Sequence, residues 1–147
     1  MSGRVFVDTN VLIYAHDASG STKHTIAVDV LRQLWRSGGG SLSTQVLQEF
    51  YVNVTRKIPR PLPRTVARTI VETYRAWPVE VIDPTAILKA SEIEEQYQLS
   101  FWDSLIVVAA RASGASMILT EDLNPGQRIA GMLIENPFAT VSPVAPP

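Results

Sequence analysis

The chain is without cysteine and carries only two histidines among its 147 residues. The first absence excludes disulfides and thiolate metal centres; it fits a reducing compartment but argues for one only weakly. The histidines, His16 and His24, have no ligand-like spacing and read as surface or helix-end residues. No apolar run approaches the ~18 residues of a membrane span, and no basic segment precedes a long apolar run near the start. Neither a span nor a signal peptide is therefore expected, and a cytoplasmic setting is the default. No charge sign dominates: 13 Lys+Arg stand against 14 Asp+Glu, a net charge of −1, which neither supports nor excludes a polyanionic partner. Gly38-Gly39-Gly40 lacks both the lysine of a phosphate-cradling loop and the spacing of a dinucleotide-binding turn, which leaves it as an ordinary loop.

What is present is apolar mass. Hydrophobic residues make up 46% of the chain, enough for a full core, and gross disorder is excluded. A chain of this length suits one domain, burying roughly 68–70% of its unfolded surface. Arg4–Val7 reads as a short buried strand, followed by a helix through Leu12, Ile13 and Tyr14. Residues 23–36 repeat apolar positions at helical spacing, and the three glycines end that helix before a short strand at Ser41-Leu42-Ser43. Val46, Leu47, Phe50, Tyr51 and Val54 make one helical stripe, with Glu49 just past its edge. Pro59–Pro63 forces a turn, and Pro63 suits the first turn of a helix to about Ala76. A strand at Val79–Ile82, a helix at Pro84–Gln98 and a helix at 101–113 follow, the last apolar nearly all round and so central, with Gly114 as its stop. Met117–Thr120 and Met132–Ile134 are the last expected strands, and the Pro-rich tail from Ser142 is expected to be frayed. Strands alternating with helices predict an α/β domain with a mainly parallel sheet.

Four acids stand where apolar runs give way to turns or helices: Asp8, Glu49, Asp103 and Asp122. Parallel sheets form their ligand sites beyond the carboxyl ends of strands, and these positions fall there or in the opening turns of helices. Each has an ordinary alternative. Asp8-Thr9-Asn10 suits a helix cap, and Ser100-Phe101-Trp102-Asp103 matches a capping box. Glu49 suits a solvated helix position, and Asp122 a loop. Together, four acids at such ends are better explained as one site. An all-oxygen site is what a hard divalent cation such as Mg²⁺ takes. Two carboxylates about 4 Å apart repel by about 4 kcal/mol at an effective dielectric of about 20, so a cluster of four protonates or splays unless a cation neutralises it.

Other residues carry less. Trp102, beside Asp103, reads as core rather than as a base-stacking platform, and Glu92, Glu94 and Glu95 as a solvated helix face. Between Glu49 and Glu72 there is no acid, whereas Arg56, Lys57, Arg60, Arg64 and Arg68 fall in that interval. A solvated face is the plain reading; a phosphate-tracking patch is the sharper one, since it would bring a polyanion to a repulsive acidic pocket.

Taken in order, Val5-Phe6-Val7-Asp8-Thr9-Asn10-Val11-Leu12, Ser43-Thr44-Gln45 with Glu49, Phe101-Trp102-Asp103-Ser104-Leu105-Ile106 and Leu119-Thr120-Glu121-Asp122-Leu123 resemble the PIN-domain ribonucleases. Gly126-Gln127 and Asn136-Pro137-Phe138 extend the likeness, which is strongest to the VapC-type toxins of toxin–antitoxin pairs and spans about residues 4–138. The resemblance implies a three-layer α/β/α sandwich over residues 1–141, with 142–147 as a disordered tail. It implies Mg²⁺ or Mn²⁺ held by Asp8, Glu49, Asp103 and Asp122, with Thr9, Asn10, Thr120 and Glu121 in support. Either Glu121 or Asp122 could swing toward a metal; the family's Thr-x-Asp spacing favours Asp122. The implied activity is endoribonuclease hydrolysis of RNA, with a small cognate antitoxin and a homodimer as partners. Three rivals stand beside it. One is an RNA-processing nuclease without antitoxin, and another a non-catalytic RNA-binding or interaction module. The third, an aspartyl phosphatase, is disfavoured because Asp8-Thr9-Asn10 lacks a second acid two residues on.

Overall fold

In the computed structural model, which describes residues 3–19 and 21–139, the opening apolar run forms β1 (Arg4–Val7), with Phe6 and Val7 fully buried. Asp8 ends the strand and caps α1 (Thr9–His16), its Oδ1 accepting the Thr9 N–H at 2.7 Å. α2 (Thr22–Ser37) starts at the Ser21 cap and stops at Gly38, where φ is 73°, a left-handed turn that side chains resist. β2 (Gly40–Ser43) runs straight into α3 (Thr44–Arg56), which Ser43 caps. α4 (Arg64–Tyr74), β3 (Val79–Glu80), α5 (Pro84–Tyr97), α6 (Phe101–Ala112), β4 (Ala115–Leu119), β5 (Arg128–Ile129) and β6 (Met132–Glu135) follow.

The strands make one sheet in the order β3-β2-β1-β4-β6-β5, parallel throughout except for the β5–β6 pair. The chain steps outward from β1 to β3, then returns across the sheet to β4. Right-handed crossovers then put α1–α4 on one face and α5–α6 on the other. The packing agrees: α1 packs on α2 and α3, α3 on α4, and α2 and α3 on β2, whereas α6 touches α5, β2, β3 and β4. This is the expected mainly parallel α/β/α arrangement, with helices on both sides. The strand order reverses at β1, between β2 and β4, and at such a switch point the loops diverge and leave a crevice.

Three details differ from the sequence expectation. The strand at Val79 stops at Glu80, because the Ile82 N–H donates to Thr44 Oγ1 and Asp83 caps α5. The helix after Pro63 ends at Tyr74 rather than Ala76. β5 was not expected at all. It folds back on β6 through Ala130-Gly131, both at positive φ (49° and 86°), a two-residue hairpin turn whose usual mark is Asn-Gly or Asp-Gly. Ala130 hides it, and the Tyr97 hydroxyl accepts the Ala130 N–H at 3.0 Å. The expected tail, 142–147, lies outside the described residues, as do 140–141.

Candidate active site

The four acids arrive from four places around the crevice. Asp8 follows β1 and Asp122 follows β4; Glu49 lies in the second turn of α3, on one face of the sheet, and Asp103 in the first turn of α6, on the other. All four line one open cleft of about 590 Å³, together with Thr9, Asn10, Gln45, Lys57 and Trp102.

Both ordinary readings of the acids hold at once with the clustered one. Asp8 is a helix cap, yet its other oxygen, Oδ2, accepts the Thr120 hydroxyl at 2.7 Å. Asp103 is the third helical residue of a capped turn, its N–H donating to Ser100 Oγ at 3.0 Å, and its carboxylate faces the cleft. Thr9 Oγ1 donates to Glu49 Oε1 at 2.8 Å, and Asn10 Nδ2 to Asp122 Oδ2 at 3.0 Å. Thr120 also accepts the Asp122 N–H at 3.0 Å, so one hydroxyl ties the Asp8 carboxylate to the loop that carries Asp122.

The acids feel one another. Burial pushes the Asp8 carboxyl up from 3.8 to about 7; the Thr120 and Thr9 hydrogen bonds oppose this, and the charges of Asp122 and Glu49 add to it. Burial also raises Asp103, opposed by Ser100 and reinforced by Asp122 and Glu49. Two ion pairs occur among the described residues, Lys23–Glu121 and Arg75–Glu72, and neither involves the four cleft acids.

The donor set suits a hard cation: carboxylates, plus the buried amide oxygen Asn10 Oδ1, which like Gln45 Oε1 has no hydrogen-bond partner among the described residues. The carboxylates meanwhile bond to protein donors. Among the described residues no three His, Cys, Asp or Glu side chains are close enough together to form a ligand cluster as they stand. Loading a cation thus requires these side chains to turn from Thr9, Asn10 and Thr120 toward a common centre.

Glu121 points elsewhere. It accepts from Tyr14 Oη and from Lys23 Nζ, both at 2.8 Å, beyond the lining of the cleft. Of the basic residues, Lys57 lines the cleft, while Arg56, Arg60, Arg64 and Arg68 are exposed outside it, Arg68 beside an apolar groove formed with Leu47, Tyr51 and Val71. His16 and His24 are helix-end residues as expected, bonded to Tyr74 Oη and to the Tyr14 carbonyl.

Two residues were misjudged or passed over in the sequence. Trp102 is not core: it is 64% exposed and lines the cleft. Gln45 entered only as part of a matched segment, yet it is buried and bridges two elements, Nε2 donating to Glu49 Oε2 at 3.3 Å and to the Trp102 carbonyl at 3.2 Å. Its one legible signal was a position four residues before Glu49, on the same helical face.

The family model described as PIN domain matches residues 5–130. No curated protein sequence matches the chain. Among solved structures, a toxin–antitoxin complex from Klebsiella pneumoniae has a TM-score of 0.67 at 16% identity, covering 90% of this chain and 97% of that one. Mycobacterium tuberculosis VapC20, described as a sarcin–ricin-loop-cleaving toxin, has a TM-score of 0.60 at 22% identity, covering 78% and 86%. Rickettsia felis VapBC2, bound to a fragment of its promoter DNA, has a TM-score of 0.62 at 19% identity, covering 90% and 97%. At these identities the likeness is one of fold.

Proposed function

The chain belongs to the PIN domain family, and on that premise we propose that it is a metal-dependent endoribonuclease, the toxin of a type II toxin–antitoxin pair. Members of this family are ribonucleases that generally use divalent metals. The observation that carries the reading is the cleft: four carboxylates from separate elements line it, and none is paired with a Lys or Arg among the described residues.

Asp8, Glu49, Asp103 and Asp122 would hold Mg²⁺ or Mn²⁺. A cation held there would lower the pKa of a water and offset charge developing on phosphate oxygens. The chain's own residues do the rest. Before a cation binds, Thr9, Asn10 and Thr120 hold the carboxylates at the cleft through hydrogen bonds that loading then loosens. Glu121 supports from outside, through Tyr14 and Lys23. A carboxylate of the set would accept the proton of the attacking water. Arg56, Lys57, Arg60, Arg64 and Arg68 track the RNA backbone; Lys57, in the cleft wall, is the one placed to meet a phosphate beside the acids.

The toxin assignment draws on the neighbours, two of which are complexes with an antitoxin. It carries with it a small cognate antitoxin, a homodimer, a cytoplasmic setting and a nuclease domain over residues 1–141. No helix among the described residues is long and apolar enough to cross a membrane.

The test is cleavage of total RNA with Mg²⁺, with chelator, and by Asp8→Asn and Asp103→Asn. Loss of about 100-fold or more is expected in each variant, with the fold retained by circular dichroism. Undiminished cleavage by purified Asp8→Asn overturns the reading. Charge reversal at Arg60, Arg64 and Arg68 should flatten the salt dependence of RNA binding, by about 0.7 in the log–log slope for each phosphate of a single strand that is no longer neutralised. An identical slope leaves those arginines as a solvated face.

A further inference from the structure

We propose that Trp102 is a nucleobase platform: its exposed indole stacks on a base of single-stranded RNA next to the phosphate held at the acid cleft. The proposal rests on the nuclease reading and adds to it a residue that positions the substrate.

The indole is poorly covered by its own protein. Trp102 is 64% exposed, and Phe101, edge-on at 5.4 Å, is its one ring neighbour among the described residues. Trp77, by contrast, is buried, and Trp35 packs against Trp77 and Tyr74 at 4.9 and 5.4 Å. A large apolar ring left in water at the wall of a polar cleft is a cost to the free protein that a ligand removes.

Its mount is nonetheless fixed. Trp102 lies in the first turn of α6, which Ser100 caps. Across the cleft, Gln45 of α3 donates to the Trp102 carbonyl and to Glu49. That bridge holds the indole's backbone in register with the carboxylates, and a rigid aromatic loses little freedom when a base stacks on it. Gln45 is only 6% exposed and lines the cleft, and its Oε1 has no partner among the described residues. It is left to accept from a ligand N–H or O–H, such as a base's exocyclic amine or a ribose hydroxyl.

The combination selects the ligand. An acid cleft that takes a phosphate through its cation, an uncovered aromatic face and a vacant acceptor side by side match a nucleotide, with its phosphate, π-face and donors. A protein partner would instead need a cationic group for the acids and an apolar side chain for the indole. Base–aromatic stacking tolerates any sequence, so the platform positions RNA without choosing its bases.

The experiment titrates a short single-stranded RNA of mixed sequence into the parent, Trp102→Ala and Trp102→Phe. Ca²⁺ replaces Mg²⁺, so that the acids are neutralised while turnover is held back, and binding is read by tryptophan fluorescence and by filter retention. Cleavage in Mg²⁺ and the oligomeric state are measured alongside. Trp102→Ala should weaken binding by about 5- to 100-fold. Trp102→Phe should stay within a few-fold of the parent, with salt slopes and melting temperatures unchanged in both. The fluorescence quench present in the parent and absent from Trp102→Phe belongs to the indole itself.

Several outcomes overturn the proposal. They are Trp102→Ala binding RNA as tightly as the parent, Phe failing as badly as Ala, or loss of dimerisation with RNA affinity intact. The last would assign the indole to a protein interface. A cleaving parent whose Ala variant binds RNA unchanged removes the platform and leaves the nuclease. A parent that binds RNA through Trp102 but cleaves nothing removes the nuclease and leaves the platform. A parent that binds no RNA removes both.

Discussion

Glu121 and Asp122 are neighbours in the chain, yet the fold treats them oppositely. Glu121 turns toward α1 and α2, where Lys23 and Tyr14 each bond to it at 2.8 Å. Lys23 also stands over the rings of Tyr14 and Phe138, at 5.0 and 5.7 Å from their centroids. Asp122 turns toward the cleft, where its partner is the neutral amide of Asn10 and where Asp8, Glu49 and Asp103 share the lining. The protein can evidently supply a cation to a carboxylate on this loop, and does so one residue away. Inside the cleft it supplies hydroxyls and amides. Stability alone would favour pairing or replacing Asp8 and Asp103, because burial and the neighbouring acids both oppose their ionisation. The contrast separates a region whose charges are paired within the protein from one whose charges are left unpaired among the described residues.

The largest effect should come from neutralising each neighbour in turn. Asp122→Asn is expected to lower RNA cleavage by about 100-fold or more, while leaving the metal-free melting temperature unchanged or raised. Glu121→Gln is expected to keep kcat/KM within a few-fold and to lower the melting temperature instead. Paired kinetic and melting measurements on the two variants check this. If Glu121→Gln loses as much cleavage as Asp122→Asn, the two regions are not distinct.

The resemblance favoured Asp122 over Glu121 through the Thr-x-Asp spacing, but the pattern of the residues alone could not divide them, and the reason is local. Alternation along a strand tells which side chains face together, but β4 ends at Leu119, so nothing periodic governs residues 121 and 122. The distant Lys23 and Tyr14 draw Glu121 outward, while Thr120 and Asn10 hold Asp122 at the cleft. The positions of Asp8 and Glu49 were legible because they follow from a strand end and from a stripe on a helix. Trp102 was misread for the opposite reason: Ser104–Ala110 is buried on every side, and that pattern was extended one turn too far, to where α6 projects past the sheet. β5 was hidden by Ala130 at positive φ, and Gln45 by having no charge.

A smaller effect should appear in stability against pH with the metal removed. The Asp8 carboxyl titrates near 7 in the folded protein against an ordinary 3.8, so the native state holds its proton more tightly than the unfolded chain. The contribution of Asp8 to stability is therefore fully present below about pH 4 and is lost as pH rises through 7, by up to about 4 kcal/mol for a shift of this size. Asp103 shifts in the same direction and adds to the slope. Asp8→Asn cannot ionise but still caps α1, since Asn caps about as well as Asp. Urea denaturation in chelator across that window should show a flatter profile for Asp8→Asn than for the parent. Added Mg²⁺ should stabilise the parent more than the variant, because a ligand that binds only the native state stabilises it according to its affinity. Equal pH slopes in the two proteins would mean that the cleft does not burden the fold as the comparison requires.

The smallest effect tests the paired side. Lys23 is 39% exposed and Glu121 22%, so solvent screens their pairing, and such ion pairs contribute at most about 1 kcal/mol. The rings of Tyr14 and Phe138 add a cation–π contribution of about 0.5–1 kcal/mol at so exposed a site. Lys23→Met keeps the apolar stem against the rings and removes the charge, so a loss of about 1 kcal/mol is expected, shrinking as salt is raised. Glu121 is then left bonded to Tyr14 alone and freer to turn. If the two regions are independent, the variant's stabilisation by Mg²⁺ matches the parent's, because the cleft acids are untouched. A changed metal response in Lys23→Met would show that Lys23 does more than satisfy its neighbour. By holding Glu121 away, it would be keeping a fifth carboxylate out of the cleft, and the boundary between the two regions would then belong to the site itself.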